Sequence, residues 1–242
     1  MRKLAIIPAR YNSSRFPGKP LIDLKGKTMI QRVYERVAGS NLFEEVVVAT
    51  DDERIYDHVL TFGGKAEITA ATHETGTDRC GELIQKKYAE FDIVVNIQGD
   101  EPLVDSRQLE TLVAAFDSNA VQIATLGIYT NNETEINDPN RIKIVLDQLG
   151  NALYFSRSPI PFVRNNTSNY KHIKHIGVYA FRSNTLQEVI QLKQTDLELT
   201  ESLEQLRWLE NGYKINVQLT SIETPNIDVP EDVEKVIQLI DE

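Results

Sequence analysis

The sequence has one cysteine, Cys80, and no run of 18 apolar residues. A lone cysteine excludes an internal disulfide and a cysteine-rich zinc site, and it suits a reducing compartment such as the cytoplasm. The apolar run that follows the amino-terminal Met1-Arg2-Lys3 ends at Pro8, which is too short for the core of a signal peptide. We therefore expect a cytoplasmic protein without membrane insertion.

Several motifs of catalysis and binding are also missing. Neither G-x-G-x-x-G nor G-x-x-x-x-G-K-[ST] occurs, so the dinucleotide fingerprint and the usual phosphate loop are both absent from the sequence. The four histidines lack H-E-x-x-H spacing, and no G-x-S-x-G elbow is present. The formal net charge of −10 is the opposite of the basic field that nucleic-acid binding requires. These absences disfavour a dehydrogenase, a histidine metal site, a serine hydrolase and a nucleic-acid-binding protein.

Acidic residues are missing from the amino-terminal segment. No Asp or Glu precedes Asp23, whereas five cations do: Arg2, Lys3, Arg10, Arg15 and Lys19. The last three lie in a loop between an apolar strand at residues 4–7 and a helix that begins near Met29. Open α/β sheets bind ligands in such loops, and cations with free backbone N–H groups suit a polyphosphate. Judged on charge alone, a solvated surface loop explains the pattern equally well.

Apolar strands and amphipathic helices alternate along the first 130 residues. We predict strands at residues 4–7, 45–50, 66–69, 93–97 and 123–129, and helices beginning near Met29, after Asp52, at 78–90 and at 106–118. Repeated β–α units form parallel sheets with right-handed crossovers. The sequence therefore predicts an α/β fold with a doubly wound, mostly parallel sheet.

The alternation stops after residue 130. The pattern then predicts a hairpin of residues 142–146 and 152–155, a strand at 172–182, helices at 183–193 and 200–210, a strand at 214–219 and a last helix from Pro230. We therefore predict a single domain, residues 1–242, whose nucleotide-binding core comprises about residues 1–130 and 214–242. A mixed α/β insertion would occupy about residues 131–213.

Carboxylates stand where a metal could be bound. Asp100 and Glu101 follow the most apolar strand, and two such neighbours repel each other unless a cation is present. Magnesium carried by a nucleotide phosphate would supply that cation, although one of the two carboxylates could instead cap the next helix. Asp228 is a second candidate ligand, but the sequence alone favours it as the N-cap of the last helix. The segment Thr75–Arg79 opens a helix and suits either a nucleotide contact or an ordinary cap.

Together these segments resemble the sugar cytidylyltransferases of the nucleotide-diphospho-sugar transferase fold. The amino-terminal loop follows their Ile-Pro-Ala-Arg-x-x-Ser-x-Arg-x-Pro-Gly-Lys-Pro pattern. Across nearly the whole chain, further motifs are similar to the branch that uses the acid sugar 3-deoxy-manno-octulosonate (Kdo): residues 48–51, 76–79, 96–102, 154–157, 175–179, 203–207 and 228–232.

The resemblance implies that CTP and Kdo give CMP-Kdo and pyrophosphate with Mg²⁺, that the product serves lipopolysaccharide synthesis, and that the enzyme is a homodimer formed through the insertion. The implied catalytic residues are Arg15, Lys19, Asp100 and Asp228, of which the two aspartates bind the metal. The implied CTP contacts are Pro8, Ala9, Arg10, Ser13, Arg15, Lys19, Thr75, Gly76, Arg79 and Gln98. The implied Kdo contacts are Arg157, Arg164, His175, Tyr179, Glu204 and Gln205.

Two alternatives remain open at this stage. The sugar could be another acid sugar, such as 8-amino-Kdo or a sialic acid. The chain could also be an inactive nucleotide-binding regulator on the same fold, although the presence of Arg15, Lys19, Asp100 and Asp228 speaks against it. The sequence departs from the family pattern in Thr75, which replaces a serine and keeps the hydroxyl, and in a short loop at Arg164–Lys171.

Overall fold

A computed structural model describes residues 1–12, 16–165 and 170–240 of the chain. Ser13 and Arg15, both expected to contact the nucleotide, lie outside the described residues. The strands follow one another in the order β1 (Lys3–Ala9), β2 (Glu45–Thr50), β3 (Ala66–Ile68), β4 (Ile93–Asn96), β5 (Ile123–Thr130), β6 (Lys143–Leu146), β7 (Ala152–Ser156), β8 (His172–Arg182) and β9 (Ile215–Leu219).

The helices lie between and after these strands, and the chain folds into two compact units. In chain order the helices are α1 (Met29–Gly39), α2 (Glu53–Thr61), α3 (Gly76–Lys86), α4 (Ser106–Ala114), α5 (Glu133–Asn137), α6 (Ser183–Val189), α7 (Asp196–Glu201), α8 (Gln205–Glu210) and α9 (Asp232–Ile240). The first unit comprises Met1–Leu109, Arg182–Ile190 and Thr224–Glu242, and the second comprises Glu110–Phe181 and Gln191–Glu223. No described helix has the length and apolar character needed to cross a bilayer.

The first unit contains a parallel sheet in the order β3-β2-β1-β4. β1 runs through the middle, and Leu4 to Ile7 are fully buried, which is why this strand reads as a continuous apolar run. Side chains cap the flanking helices, and the predicted cap Asp52 is confirmed. Asp52 accepts the N–H of Arg54 at the start of α2, and Thr75 forms a capping box with Asp78 at the start of α3.

The second unit is built on mixed pairings. β5 pairs with β9 in parallel and with β8 in antiparallel orientation, while β6 pairs with both β7 and β8 in antiparallel orientation. The predicted hairpin is confirmed: Gly150 adopts φ 80° in the turn between β6 and β7. Together with the parallel sheet of the first unit, these strands confirm the predicted α/β class with a mostly parallel sheet.

Some predicted element bounds are wrong. The single helix expected at residues 200–210 is two helices, α7 and α8, because Ser202 takes a left-handed conformation at φ 51° and ends α7. The helix expected at 78–90 begins at Gly76, because Thr75 is its cap. The role of Asp228 as a cap of α9 stays a prediction, and the Asp232 carboxylate accepts the N–H groups of Asp228 and Val229. The sequence pattern does not predict the short helix α5.

The division into functional domains stays a prediction. The sequence places residues 123–130 and 214–219 in the nucleotide-binding core, whereas β5 and β9 belong to the second of the two compact units.

Candidate active site

The carboxyl ends of β1 and β4 in the first unit border a cavity of about 440 Å³. Most of the residues predicted to contact CTP line this cavity, together with the predicted metal ligand Asp100: Pro8, Ala9, Arg10, Lys19, Gly76, Arg79 and Gln98. They come from three separate stretches of sequence, which the parallel sheet brings to one edge. The cavity therefore lies where an open α/β sheet is expected to bind a ligand.

Two glycines allow the segments around this cavity to approach closely. A Cβ on Gly99 would lie 2.7 Å from the carbonyl oxygen of Pro8, and a Cβ on Gly76 would lie 3.1 Å from Cγ of Pro8. The first distance is too short for any other residue without backbone movement. The packing of the loop after β4 against the end of β1 thus requires Gly99, and Gly76 leaves little room for a side chain beside Pro8.

Lys19 joins two of these segments through its ammonium group. It begins a single 3₁₀ turn after Gly18, which has φ 74°. Its Nζ lies 2.7 Å from Oδ2 of Asp100, 2.8 Å from the carbonyl oxygen of Ile227 and 4.0 Å from Oδ1 of Asp228. The N–H of Ile227 also donates to the carbonyl of Asp100 at 3.0 Å. The predicted catalytic residues Lys19, Asp100 and Asp228 are therefore brought together.

The Lys19 ammonium occupies a place where two carboxylates could bind magnesium instead. Two carboxylates from distant parts of the sequence converge on one cation, as a metal site requires. Among residues 1–12, 16–165 and 170–240, no cluster of three or more His, Cys, Asp or Glu side chains could hold a metal by itself. A pair of carboxylates fits Mg²⁺ that arrives with phosphate oxygens and water as its other ligands.

Glu101 differs from its neighbour Asp100. Burial, and after it the Asp100 carboxylate, raise the pKa of Glu101 to about 8, although a contact with the Thr224 hydroxyl opposes this. At neutral pH Glu101 is therefore mostly protonated, which relieves the repulsion expected between adjacent carboxylates. Of the two acids that the sequence offers here, Asp100 is the one that pairs with Lys19.

Arg10 and Arg79 are held by different partners. Arg79 is fully buried, and its guanidinium lies 2.9 Å from Asp51 and donates to the Thr69 hydroxyl at 2.6 Å. Arg10 is partly exposed, and its Nη2 donates to the carbonyl of His73. Burial, and then the Arg79 guanidinium, lower the pKa of Arg10 from its usual value. Arg79 thus anchors the wall of the cavity, while Arg10 remains accessible from it.

In the second unit, two of the predicted sugar residues share an aromatic cluster. Nε2 of His175 lies 2.9 Å from the Thr125 hydroxyl, and the His175 and Tyr179 rings are 5.3 Å apart. Loss of solvent around the ring lowers the pKa of His175 to about 3, so the imidazole is neutral at pH 7. Burial, followed by the charge of Glu204, raises the pKa of the Tyr179 phenol well above its usual value.

The remaining sugar candidates are placed differently from one another. Glu204 and Gln205 stand at the start of α8, where Gln205 is buried and Glu204 is partly exposed. Arg164 is exposed in the loop after β7. The three guanidinium nitrogens of Arg157 donate to the carbonyls of Pro139, Glu201 and Ser202. A contact between Arg157 and a sugar stays a prediction.

Sequence reasoning passed over several residues of these clusters. Trp208, the single tryptophan in the sequence, packs against Tyr179 with ring centroids 5.1 Å apart. Among the described residues, the buried Trp208 indole N–H and Tyr179 hydroxyl have no hydrogen-bond partner. His73 and Glu82 contact each other beside Arg10. The position of Glu82 on the buried face of α3, three residues after Arg79, is the signal that could have identified it.

Comparisons with known proteins agree with this geometry. The cytidylyltransferase family model matches residues 4–215. The chain is 52% identical over 241 residues to 3-deoxy-manno-octulosonate cytidylyltransferase of Bacteroides thetaiotaomicron, with 96% of each chain covered. It is 48% identical over 236 residues to 8-amino-3,8-dideoxy-manno-octulosonate cytidylyltransferase of Shewanella halifaxensis, again with 96% of each covered.

A solved structure is similar along the whole chain. CMP:2-keto-3-deoxy-manno-octonic acid synthetase complexed with CTP superposes with a TM-score of 0.94 at 44% sequence identity. The match covers 100% of this chain and 99% of that one. The similarity therefore includes both compact units.

Proposed function

This chain belongs to the cytidylyltransferase family, and we propose that it transfers CMP from CTP to the anomeric hydroxyl of Kdo, releasing pyrophosphate. The observation that carries the proposal is the 52% identity over nearly the full length of a relative that is named for this sugar. The structure supports it with a cavity at the ends of parallel strands, bordered by Arg10, Lys19 and Asp100.

The cations of the first unit would bind the triphosphate. Lys19 and Arg10 border the cavity, and charge-assisted hydrogen bonds from such groups to phosphate oxygens are strong. Negative charge grows on the α-phosphoryl group and on the leaving pyrophosphate as the sugar hydroxyl attacks in line. Lys19 would stabilise that charge, and Arg10 would orient the triphosphate, so positioning and electrostatics supply most of the acceleration.

Asp100 and Asp228 would hold Mg²⁺ in the loaded enzyme. When bound, the ion would polarise the α-phosphate and lower the pKa of the attacking hydroxyl. Lys19 would then leave the carboxylates and turn its ammonium toward the phosphates. Pro8, Ala9, Thr75, Gly76 and Gln98 would face cytosine and ribose, where their backbone and amide groups can read the base.

Kdo would be recognised in the second unit by side chains that hydrogen-bond to hydroxyl groups. His175 is neutral, and because the Thr125 hydroxyl donates to the Val178 carbonyl, Nε2 of His175 donates to Thr125 and Nδ1 is left as an acceptor for a sugar hydroxyl. The Tyr179 hydroxyl can donate or accept. Glu204 and Gln205 would contact further hydroxyls. Arg164 is an accessible cation that could pair with the carboxylate of the sugar.

Pyrophosphate release from CTP and Mg²⁺ tests the proposal, with and without Kdo. We expect release that depends on Kdo and fails with UTP. Release that depends on a sialic acid and not on Kdo would contradict the sugar assignment. Absence of release with every acid sugar would instead favour a nucleotide-binding regulator.

A second candidate is CMP transfer to 8-amino-Kdo. It is favoured by the relative from Shewanella halifaxensis, which is named for that sugar and is nearly as similar as the Kdo relatives. Comparison of kcat/KM for the two sugars decides between them, because they differ in one amino group for one hydroxyl.

The proposal also includes the cellular setting. A homodimer, a cytoplasmic location and the supply of activated Kdo for lipopolysaccharide belong to it. Light scattering on the purified protein tests the first of these: a mass of twice 27.5 kDa is expected, and a mass of one chain at micromolar concentration would contradict it.

A further inference from the structure

Glu82 is a nearly buried carboxylate on α3 that the proposed chemistry does not use. It is 8% exposed, and it faces the loop that leads from β3 to α3. Oε2 accepts the backbone N–H of Ala70 at 2.9 Å and also contacts Nε2 of His73. Its other oxygen pairs with the exposed Lys86. One side chain thus fixes the loop at two points, one through the backbone and one through an imidazole.

A backbone carbonyl of this loop contacts a residue that lines the cavity at the ends of β1 and β4. The carbonyl oxygen of His73 accepts a hydrogen bond from Nη2 of Arg10, which lines the cavity. A carbonyl that is fixed in space determines where the guanidinium can lie. The position of Arg10 therefore depends on the position of residue 73, and that position depends on the contact between His73 and Glu82.

The loop has a second anchor that does not include Glu82. Arg79 donates to the Thr69 hydroxyl and to the carbonyl of Ala70. Loss of Glu82 would therefore leave residues 69 and 70 attached to Arg79 while it removes the contact to the His73 imidazole. This separation makes a specific effect on Arg10 distinguishable from general unfolding of the loop.

We propose that Glu82 is a positioning residue for nucleotide binding, which acts through His73 to hold the Arg10 guanidinium at the cavity wall. The inference rests on the proposed use of CTP. Glu82 is charged over the relevant pH range: burial alone would raise its pKa, but Lys86, the Ala70 N–H and His73 lower the pKa of Glu82 to about 2. An ionised acceptor holds both partners more strongly than a neutral one.

A double-mutant cycle on CTP binding tests the proposal. The dissociation constant of CTP with Mg²⁺, without sugar, is measured calorimetrically for wild type, Glu82→Ala, Arg10→Ala and the double variant. We expect Glu82→Ala to weaken CTP binding about tenfold in the wild-type background. In the Arg10→Ala background we expect a further change of less than about threefold, because residues that act through one another are not additive.

Further variants separate positioning from folding. Glu82→Gln keeps the length of the side chain and one acceptor, so it should weaken CTP binding less than Glu82→Ala. If Glu82→Ala does not fold, Glu82→Gln replaces it in the double-mutant cycle. Glu67→Ala is the matched control, since Glu67 is a carboxylate of the same unit that pairs with Lys87 and does not touch the described loop at residues 70–73. The KM for Kdo should change less than about twofold in Glu82→Ala, because energetic coupling is largely confined to residues that share partners.

Two results would overturn the inference. Additive effects of Glu82→Ala and Arg10→Ala would show that Glu82 does not act through Arg10. An equal loss of CTP binding in Glu67→Ala would show a general effect of removing a carboxylate. Wild-type protein that does not bind CTP would remove the proposed function and this inference together, whereas additivity with normal CTP binding removes the inference alone.

Discussion

The two compact units present contrasting sets of candidate residues. The first unit brings together ionic groups that keep some access to solvent: the side chains of Lys19, Asp100 and Asp228 are 12%, 23% and 39% exposed. The second unit gathers a neutral imidazole and aromatic rings, with the Tyr179 hydroxyl and the Trp208 N–H buried. The difference matches the chemistry of the two proposed substrates, since phosphate groups are bound by charged partners and sugar hydroxyls can be bound by neutral donors and acceptors such as an imidazole or a phenol.

The contrast also concerns how the residues are held. Lys19 contacts two carboxylates and a carbonyl that a bound nucleotide and metal could replace. The guanidinium of Arg157, a cation of the second unit, is engaged by three backbone carbonyls, and the Glu201 carboxylate in turn accepts the N–H of Arg157 at 2.9 Å. We infer that Lys19 in the first unit changes its partners when ligands bind, whereas Arg157 in the second unit holds the backbone in place.

The largest expected effect comes from Asp100→Asn, which removes charge from the ionic cluster, that is, Lys19, Asp100 and Asp228. We expect kcat to fall about 10³-fold, the upper end of the loss for one electrostatic contact to a transition state. Pyrophosphate release measures the rate, and circular dichroism checks the fold. Asp105→Asn is the matched control. Asp105 is 24% exposed, much like Asp100, but it pairs with Arg107. A rate within about tenfold of wild type would remove Asp100 from the reaction.

Lys19→Ala should have the next largest effect. We expect kcat/KM for CTP to fall about 10²-fold, because a cation that stabilises developing charge is lost. Lys27→Ala provides the control, since Lys27 forms an exposed pair with Glu35. If kcat/KM were unchanged, Lys19 would be a structural counter-charge for Asp100 and the ionic cluster would lose its proposed role.

Glu204→Ala tests the separation between the two units. We expect the KM for Kdo to rise about tenfold, the cost of one hydrogen bond to a charged group, while the KM for CTP changes less than about twofold. Arg10→Ala should show the reverse pattern. Glu210→Ala, an exposed carboxylate on the same helix, serves as the control. Equal effects of Glu204→Ala on both substrates would remove it from the sugar site.

The smallest effect concerns acid stability in the second unit. The folded-state pKa of His175 is about 3, below the ordinary value of 6.5. Between those values the unfolded chain binds a proton that the folded chain does not, so His175 makes the free energy of unfolding fall as the pH drops from 6.5 toward 3. The fall is at most about 1.4 kcal/mol per pH unit.

Urea unfolding of wild type and His175→Gln at pH 7 and pH 5 measures this term. The variant should lose less stability on acidification than wild type, because glutamine does not titrate. NMR of the imidazole should show a neutral ring at pH 5. A ring that is protonated at pH 5, or equal acid sensitivity of the two proteins, would contradict the picture of a neutral cluster.

The ionic cluster is the part of the candidate site that sequence reasoning anticipates best. Lys19 and Asp100 each lie in the loop that follows an apolar strand, and the rule that parallel strands end at one edge of a sheet places them together. The sequence alone favours Asp228 as a helix cap, and its local pattern does not indicate that its carboxylate lies 4.0 Å from the Lys19 ammonium, because that contact joins positions far apart in the chain. Four residues further on, Asp232 accepts the N–H groups of Asp228 and Val229.

The second unit is less predictable because its contacts depend on pairing and on one backbone angle. His175 meets Thr125 through the antiparallel register of β8 on β5, which includes a bulge between Thr125 and Leu126. The separation of α7 from α8 depends on Ser202 at φ 51°, and no glycine or proline marks that position. Neither the register nor the angle leaves a pattern in the local sequence.

The hairpin turn between β6 and β7 has a consequence for the exposed edge of β9. The carbonyl of Gly150 accepts the N–H of Val217 at 2.8 Å, and Asn151 forms a bridge with Asn216. These bonds occupy backbone groups of β9 on the side away from β5. An unpaired strand edge recruits other strands and promotes aggregation, so this turn protects the middle of β9 from addition of a foreign strand.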